Sequence, residues 1–160
     1  FGVPHFPDPA RGLSEVARVT KPGGRLGFSI WRGKGSVGAF GWLFDSVGQL
    51  ADPTFKLPDG PDAHLLTDEG IANDMMNRAG FREVEITDVQ SKFWVSKPED
   101  LFDVFDQGAV RAAALLRGQS NAVRDEIRAD LAHRVVTDGV ANEGGYVVLA
   151  PSVVISGTKA

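Results

Sequence analysis

Residues 12–26 read Gly-Leu-Ser-Glu-Val-Ala-Arg-Val-Thr-Lys-Pro-Gly-Gly-Arg-Leu, and this stretch is the strongest indication of the fold. Apolar residues at helical spacing fill 10–20, and Asp8 is suited to cap that helix. Lys21-Pro22-Gly23-Gly24 ends it, because proline cannot continue a helix and glycine permits a positive φ. Residues 25–31 then alternate apolar and small residues, as a short strand does. The stretch therefore predicts a helix, a tight turn and a strand.

The rest of the chain continues the αβ pattern. Apolar residues recur at helical spacing in 40–50, 67–79, 97–116 and 121–136. We predict Thr67 as the N-cap of the second of these helices and place Val110 in the apolar stripe of the third. Strands are predicted from Phe81 to Trp94 and from Tyr146 to Thr158. We expect one domain over 1–160, with a small, mostly parallel sheet under helices and an antiparallel last strand.

Composition and charge exclude several classes of protein. The net charge of −4 provides no basic patch for a phosphate backbone, so we expect no nucleic-acid partner. No apolar run approaches the roughly 20 residues of a membrane span, so we expect no membrane partner. The chain has no Cys, which excludes disulfides and thiolate nucleophiles. No signal-like segment opens the chain, and we expect a cytoplasmic protein.

The chain opens on Phe1 and on a proline-rich loop with no element before it. We expect that an upstream segment was removed or left out. A trimmed or disordered tag region is the alternative.

The stretch 12–26 resembles a signature of the class I, Rossmann-type S-adenosylmethionine-dependent methyltransferases, in particular the small-molecule "type 11" family. In that family a helix ending in an Arg-Val-Leu-Lys-Pro-Gly-Gly-like run leads into the fifth strand, and here Thr20 replaces the Leu. Residues 1–9 are similar to the family's loop after strand four. Ala79-Gly80-Phe81 resembles the entry to strand six, and 153–159 the closing antiparallel strand.

The resemblance implies an α/β fold corresponding to the C-terminal half of the methyltransferase sheet. This half holds strands five, six and antiparallel seven, with a helical insertion before the last strand. The implied cofactor of the full-length protein is S-adenosylmethionine. In the family, the glycine-rich cofactor loop follows strand one, so this chain is expected to lack it. We interpret Gly33, Gly35, Gly38 and Gly41 as loop glycines and not as a phosphate cradle.

The resemblance also implies site residues. The expected cofactor-binding residues are Phe1, Gly2, His5 and Phe6, beyond strand four. The expected substrate pocket consists of Trp31, Arg32, Phe93, Trp94 and Phe102. His5 is the candidate catalytic base, with packing or cofactor contact as the alternative role. His64 and His133 are expected to be solvated, and no residues are spaced as metal ligands.

Three functions follow as hypotheses. The first is methyl transfer, in the full-length parent, to a small apolar or aromatic acceptor. The second is a non-catalytic binding or dimerisation module that keeps the methyltransferase C-terminal fold. The third is a Rossmann oxidoreductase, which nicotinamide binding would reveal. We further expect the chain to form a homodimer through the strand at 25–31 and not to bind S-adenosylmethionine by itself.

Overall fold

The computed structural model describes residues 1–160. Its helices are α1 (Pro9–Val19), α2 (Ala39–Leu50), α3 (Glu69–Ala79), α4 (Asp100–Gly108), α5 (Val110–Arg117) and α6 (Asn121–Asp138). Its strands are β1 (Arg25–Trp31), β2 (Phe81–Val89), β3 (Lys92–Val95), β4 (Val140–Asn142), β5 (Gly145–Leu149) and β6 (Ser152–Lys159). Two short 3-10 turns occupy Val3–His5 and Leu65–Thr67. None of the helices is long and apolar enough to cross a membrane.

Two units of tertiary structure divide the chain. The first consists of Phe1–Arg32, Asp59–Gln90 and Pro151–Ala160, and the second of Gly33–Pro58 and Ser91–Ala150. That residues 1–160 form a single domain stays a prediction.

The first unit is built on a three-stranded sheet in the order β1-β6-β2. β6 lies in the middle and is antiparallel to both neighbours, which confirms the predicted direction of the last strand. The expectation of a mostly parallel sheet is wrong. β1 and β2 run in the same direction, but β6 separates them.

The Lys21-Pro22-Gly23-Gly24 turn joins α1 to β1 as predicted. The Asp8 carboxylate caps α1 by accepting from the Arg11 N–H at 2.9 Å. Gly23 has a φ of 75°, a left-handed conformation that glycine adopts without strain. Its N–H donates to the Lys159 carbonyl at 2.9 Å, and the Lys159 N–H donates to the Gly24 carbonyl at 2.8 Å. The turn is therefore held by the end of β6.

The core of the first unit lies between the sheet and helices α1 and α3. Phe28 and Ile30 of β1 are buried and Leu26 is half-buried, which confirms the predicted inner face of this strand. The other buried members of the cluster are Val3, Leu13, Ala17, Leu66, Ala72, Met76, Phe81, Val153 and Ile155.

Helix α3 begins one residue later than predicted. Asp68, not Thr67, is its N-cap, and the Asp68 carboxylate accepts from the Ile71 N–H at 2.9 Å. Thr67 lies instead in the preceding 3-10 turn, where its hydroxyl donates to the His64 carbonyl at 2.7 Å. The helix ends at Gly80, as predicted, with a left-handed φ of 95°.

The strand predicted from Phe81 to Trp94 is two strands, β2 and β3, in two different sheets. The long final strand is likewise divided, into β5 and β6, at Ala150-Pro151. Pro151 has no N–H to give to a ladder, so pairing stops there. Its carbonyl accepts from the Arg32 N–H at 2.9 Å within the first unit.

The second unit combines α2 and α4–α6 with a small antiparallel sheet in the order β3-β5-β4. Its largest fully buried side chains are Leu43, Leu101, Phe102, Phe105, Leu116, Ile127 and Leu131. Val110 is 77% exposed, contrary to the prediction. The helix breaks at Ala109, so α5 starts with a new helical phase that turns Val110 outward.

These features confirm a mixed α/β fold with a helical segment, α4–α6, before the last strand. The identification of β1, β2 and β6 with strands five, six and seven stays a prediction.

Candidate functional site

The carboxyl ends of β1 and β2 lie along the same edge of the sheet in the first unit, one on each side of β6. Trp31 at the end of β1 and Val89 at the end of β2 both pair with Ser152 at the start of β6. Ligands of open α/β sheets bind beyond the carboxyl ends of the strands. We therefore define the candidate site as this edge together with the groups that contact it, namely Phe1, Trp31, Arg32, His64 and Asp88.

An aromatic pair forms one wall of the candidate site. The Phe1 and Trp31 rings are stacked, with centroids 4.1 Å apart and an interplanar angle of 12°. Phe1 is 47% exposed, so part of its ring faces solvent. A flat, accessible aromatic surface suits stacking with another planar or apolar group.

An ion pair joins the two strand ends. The Arg32 Nε donates to Asp88 Oδ1 at 2.7 Å, and the Arg32 Nη2 lies 2.6 Å from the same oxygen. The Arg32 side chain is 31% exposed and the Asp88 side chain 55%. Such an accessible pair contributes at most about 1 kcal/mol to folding, but it orients the guanidinium.

His64 belongs to this edge, contrary to the expectation that it is solvated. Its Nδ1 lies 2.8 Å from the Trp31 carbonyl oxygen, and its side chain is half-buried. No local pattern predicts this contact, because 33 residues separate the partners. The local signal is weak: Asp62 and Thr67 hold the His64 backbone from both sides, and both types favour turns.

The predicted cofactor residues lie at the start of the chain. His5 ends the first 3-10 turn, and its exposed imidazole makes no hydrogen bond or ion pair. Gly2 is exposed, and a methyl group added to it would meet no atom within 4 Å. Phe6 is half-buried, with its ring against Gly12 of α1. Of this set, only Phe1 contacts the end of β1 through its ring.

The five predicted substrate-pocket residues are divided between the units. Trp31 and Arg32 lie in the first unit, whereas Phe93, Trp94 and Phe102 lie in the second. Phe93 is half-buried on β3, with its ring 6.3 Å from that of Phe40, and Trp94 next to it is 57% exposed.

Phe102 is fully buried, and charged groups surround its ring. The Arg128 guanidinium lies 4.1 Å from the Phe102 ring centroid. Arg124 lies over the same ring and also pairs with Asp106 at 3.3 Å. Burial acts to raise the pKa of Asp106, but hydrogen bonds from Arg117 and Arg124 outweigh it and hold this pKa below its ordinary value.

The glycine loop after β1 has a spacing that our sequence interpretation passed over. Gly33, Gly35 and Gly38 form a G-x-G-x-x-G pattern between β1 and α2, which is a weak signature of dinucleotide binding. The structure gives Gly38 a packing reason instead. Gly38 has a φ of 83°, and a Cβ there would overlap the carbonyl of Leu149.

The groove beside this loop also disfavours an anion. It encloses about 400 Å³ and is lined by Asp45 and Asp138 as well as Arg134. Arg134 is already paired with Asp130 at 2.8 Å. Two carboxylates with one neutralised guanidinium do not attract a phosphate, so the loop-glycine interpretation remains our preferred one.

The groups at hand do not form a metal centre. No group of three or more His, Asp or Glu side chains lies close enough together to hold an ion.

Comparison with known proteins connects the chain to methyltransferases. No model of a protein family matches it. A 52-residue segment is 44% identical to the uncharacterized methyltransferases Rv3342 of Mycobacterium tuberculosis and Mb3374 of Mycobacterium bovis. That segment is 31% of this chain and spans 20% of the length of each relative. The predicted resemblance to a methyltransferase enzyme family is confirmed, whereas its "type 11" subfamily stays a prediction.

Two solved structures align with nearly the whole chain. A proposed methyltransferase, BH2331, of Bacillus halodurans aligns over 99% of this chain and 66% of its own, with 19% identity and a TM-score of 0.44. The phosphoethanolamine N-methyltransferase 2 of Haemonchus contortus, solved with phosphomonomethylethanolamine and S-adenosylhomocysteine, aligns over 98% and 31%, with 14% identity and a TM-score of 0.39.

Proposed function

We propose that this chain is the acceptor-side part of an S-adenosylmethionine-dependent methyltransferase that acts on a small apolar or aromatic molecule. One observation carries the proposal. The ends of β1 and β2 meet at an edge where Phe1 and Trp31 stack and Arg32 is oriented by Asp88. An apolar wall with a few placed polar groups is typical of a small-molecule site.

The residues at the chain start fit part of the cofactor. Phe1 offers an exposed ring face for adenine, and the open space at Gly2 allows a ligand to approach the backbone. We propose Phe1, Gly2, His5 and Phe6 as the residues of this chain that line the cofactor pocket. When bound, S-adenosylmethionine supplies a sulfonium-activated methyl group, and its transfer to a hydroxyl or amine releases one proton.

The chain's own residues orient the acceptor and exclude water from it. Methyl transfer needs alignment more than acid–base chemistry, so rigid walls contribute most. Trp31 and Arg32 are proposed to hold one side of the acceptor. The other predicted pocket residues, Phe93, Trp94 and Phe102, belong to the second unit, and their role toward the acceptor stays a prediction.

The experiment is a methyl-transfer assay on the complete gene product. Hydroxylated and aminated aromatic acceptors are supplied with S-adenosylmethionine, and S-adenosylhomocysteine is quantified. We expect its formation to depend on the acceptor. Acceptor binding without S-adenosylhomocysteine, for any acceptor tried, contradicts methyl transfer and favours the alternative, a non-catalytic binding or dimerisation module. We propose a cytoplasmic location for the protein.

A further inference from the structure

The backbone and the ring of His64 are both held by hydrogen-bonding partners. Its backbone N–H donates to the Asp62 carboxylate at 2.8 Å, and its carbonyl accepts from the Thr67 N–H at 2.9 Å. Its ring is fixed by the 2.8 Å contact between Nδ1 and the Trp31 carbonyl oxygen. The imidazole is therefore preorganised at the end of β1.

The partner of Nδ1 determines where the proton of the neutral ring lies. A backbone carbonyl only accepts hydrogen bonds, so Nδ1 must be the nitrogen that carries hydrogen. The basic lone pair of the neutral imidazole then lies on Nε2. A backbone carbonyl that fixes the tautomer through Nδ1–H is a common way to direct Nε2 toward proton transfer.

The other two histidines lack this arrangement. The imidazole of His5 is exposed and makes no hydrogen bond, so nothing selects its tautomer or its orientation. His133 is exposed on α6 of the second unit. A general base must be held within hydrogen-bond reach of the proton that it takes, and only His64 is anchored at the candidate site.

We propose that His64, and not His5, accepts the proton released when the hydroxyl or amine of the acceptor is methylated. This proposal rests on the proposed function. The new bond joins the acceptor oxygen or nitrogen to the methyl carbon, the electron pair of the broken C–S bond stays on sulfur, and the acceptor's proton moves to Nε2 of His64. His5 then keeps the role of a cofactor-pocket residue.

Charged groups lie on the loop that carries His64 and at the strand ends. Asp62 on its own loop accepts from its backbone, and the Arg32–Asp88 pair lies at the same strand ends. Asp68 follows in the next turn and is engaged in capping α3. The Trp31 carbonyl oxygen, 2.8 Å from Nδ1, is the contact from which we infer the tautomer.

The first test uses the 160-residue chain and needs no activity. Long-range 1H–15N correlation spectra, recorded at alkaline pH, report which ring nitrogen carries hydrogen. The variants His5→Gln and His133→Gln assign the three histidine signals. We expect the Nδ1–H tautomer for His64. The Nε2–H tautomer would overturn the proposal.

The second test separates proton transfer from structural support. In the complete gene product, His64→Gln is compared with the matched variant His133→Gln, using one phenol acceptor and one carboxylate acceptor that is already ionised. We expect His64→Gln to lower kcat for the phenol by about 10²-fold to 10⁴-fold. The kcat for the carboxylate should change by no more than about threefold. His133→Gln should leave both unchanged.

The pH profile provides an independent readout. With the phenol, kcat/KM should fall on the acid side, and this limb of the profile should disappear in His64→Gln. Equal losses for both acceptors, or a loss for the phenol that follows His5→Gln instead, would overturn the assignment to His64. If the unsubstituted protein transfers no methyl group to any acceptor, the proposed function itself is wrong, whatever tautomer His64 shows.

Discussion

At the scale of single residues, side chains in contact decide which substitutions the chain tolerates. Gly12 is on the half-buried side of α1, and the Phe6 ring lies directly on its Cα. Asp106 is 16% exposed and lies between two guanidinium groups. Neither requirement is visible from the local sequence, because both depend on a neighbour that another part of the fold supplies.

We expect Gly12→Ala to destabilise the protein by about 1–2 kcal/mol, because the new Cβ overlaps the Phe6 ring and forces it to move. The matched control is Gly48→Ala in α2, where a Cβ meets no atom within 4 Å. That substitution should stabilise by about 0.5–1 kcal/mol through helix propensity. Urea unfolding of both variants provides the measurement. If Gly12→Ala is also stabilising, the described Phe6 packing is wrong.

Asp106→Asn should cost about 1.5–3 kcal/mol at neutral pH, because it removes charge-assisted hydrogen bonds with Arg117 and Arg124. The pKa of Asp106 is lowered in the folded state, so its contribution is present above the unfolded pKa and is lost as the pH falls through the folded pKa. The stability difference between the two proteins should therefore shrink below about pH 4.

The control for this variant is Asp125→Asn, on the exposed side of α6 and without an ion pair. We expect a change within about 0.5 kcal/mol. Free energies of unfolding, measured between neutral and acid pH, compare the two. A stability difference for Asp106→Asn that stays constant with pH would contradict the role of its charge.

At the scale of elements, loops and strand ends set the geometry of the candidate site. Ala150-Pro151 divides the last strand, and this break puts Ser152 opposite both Trp31 and Val89. The loop from Gly33 to Gly38 separates β1 from α2, and different structural requirements explain its glycines. Gly35 and Gly38 both have a positive φ, but only Gly38 lies against another backbone.

The two glycines therefore form a matched pair. Gly35→Ala should cost about 1–2 kcal/mol, the strain of a left-handed alanine with open space around it. Gly38→Ala should cost at least about 1 kcal/mol more, because its Cβ also overlaps the Leu149 carbonyl. Thermal unfolding of the two variants measures the difference. Equal costs would remove the packing explanation of Gly38 and reopen the nucleotide interpretation of the loop.

At the scale of the whole molecule, β1 is an edge strand. It pairs with β6 on one side only, and its central residues Gly27, Phe28, Ser29 and Ile30 carry no charge. Such an edge is a template for pairing with another strand. In the methyltransferases that the chain resembles, a neighbouring strand is expected at this position.

We predict that the isolated chain forms a twofold dimer through β1. Gly27→Lys should prevent it, because Gly27 is exposed with open space around it and a charged edge resists pairing. Sedimentation at several concentrations measures the association, and Gly48→Ala, distant in sequence from the edge, is the control. A monomer at all concentrations contradicts the prediction.

We also predict that the isolated chain does not bind S-adenosylmethionine measurably. We predict that Phe1, Gly2, His5 and Phe6 form one wall of the cofactor pocket, and the resemblance implies that the family's glycine-rich loop is not among residues 1–160. Calorimetric titration of the 160-residue chain is the measurement. Binding with micromolar affinity would show that the residues in hand complete a cofactor site.

Short-range signals in the sequence predict several features of this protein correctly. The helices, the Lys-Pro-Gly-Gly turn, the inner face of β1 and the methyltransferase resemblance all follow from spacing and from residues close together in the chain. The sequence also contains the Pro151 break and the glycine spacing after β1. The break at Pro151 was not predicted, because the apolar runs on both sides of it resemble one continuous strand. Such signals depend on backbone conformation and hydrogen bonding within a few residues.

The sheet order and the composition of the candidate site depend on contacts between elements and could not be predicted from the sequence. β6 takes its place between β1 and β2 through hydrogen bonds to strands that lie far away in the sequence. The contact of His64 with Trp31, the Arg32–Asp88 pair and the packing of Phe6 on Gly12 depend on how packed elements bring their side chains together. A local pattern carries no information on such contacts, because each partner has the same local sequence whether or not the other is near.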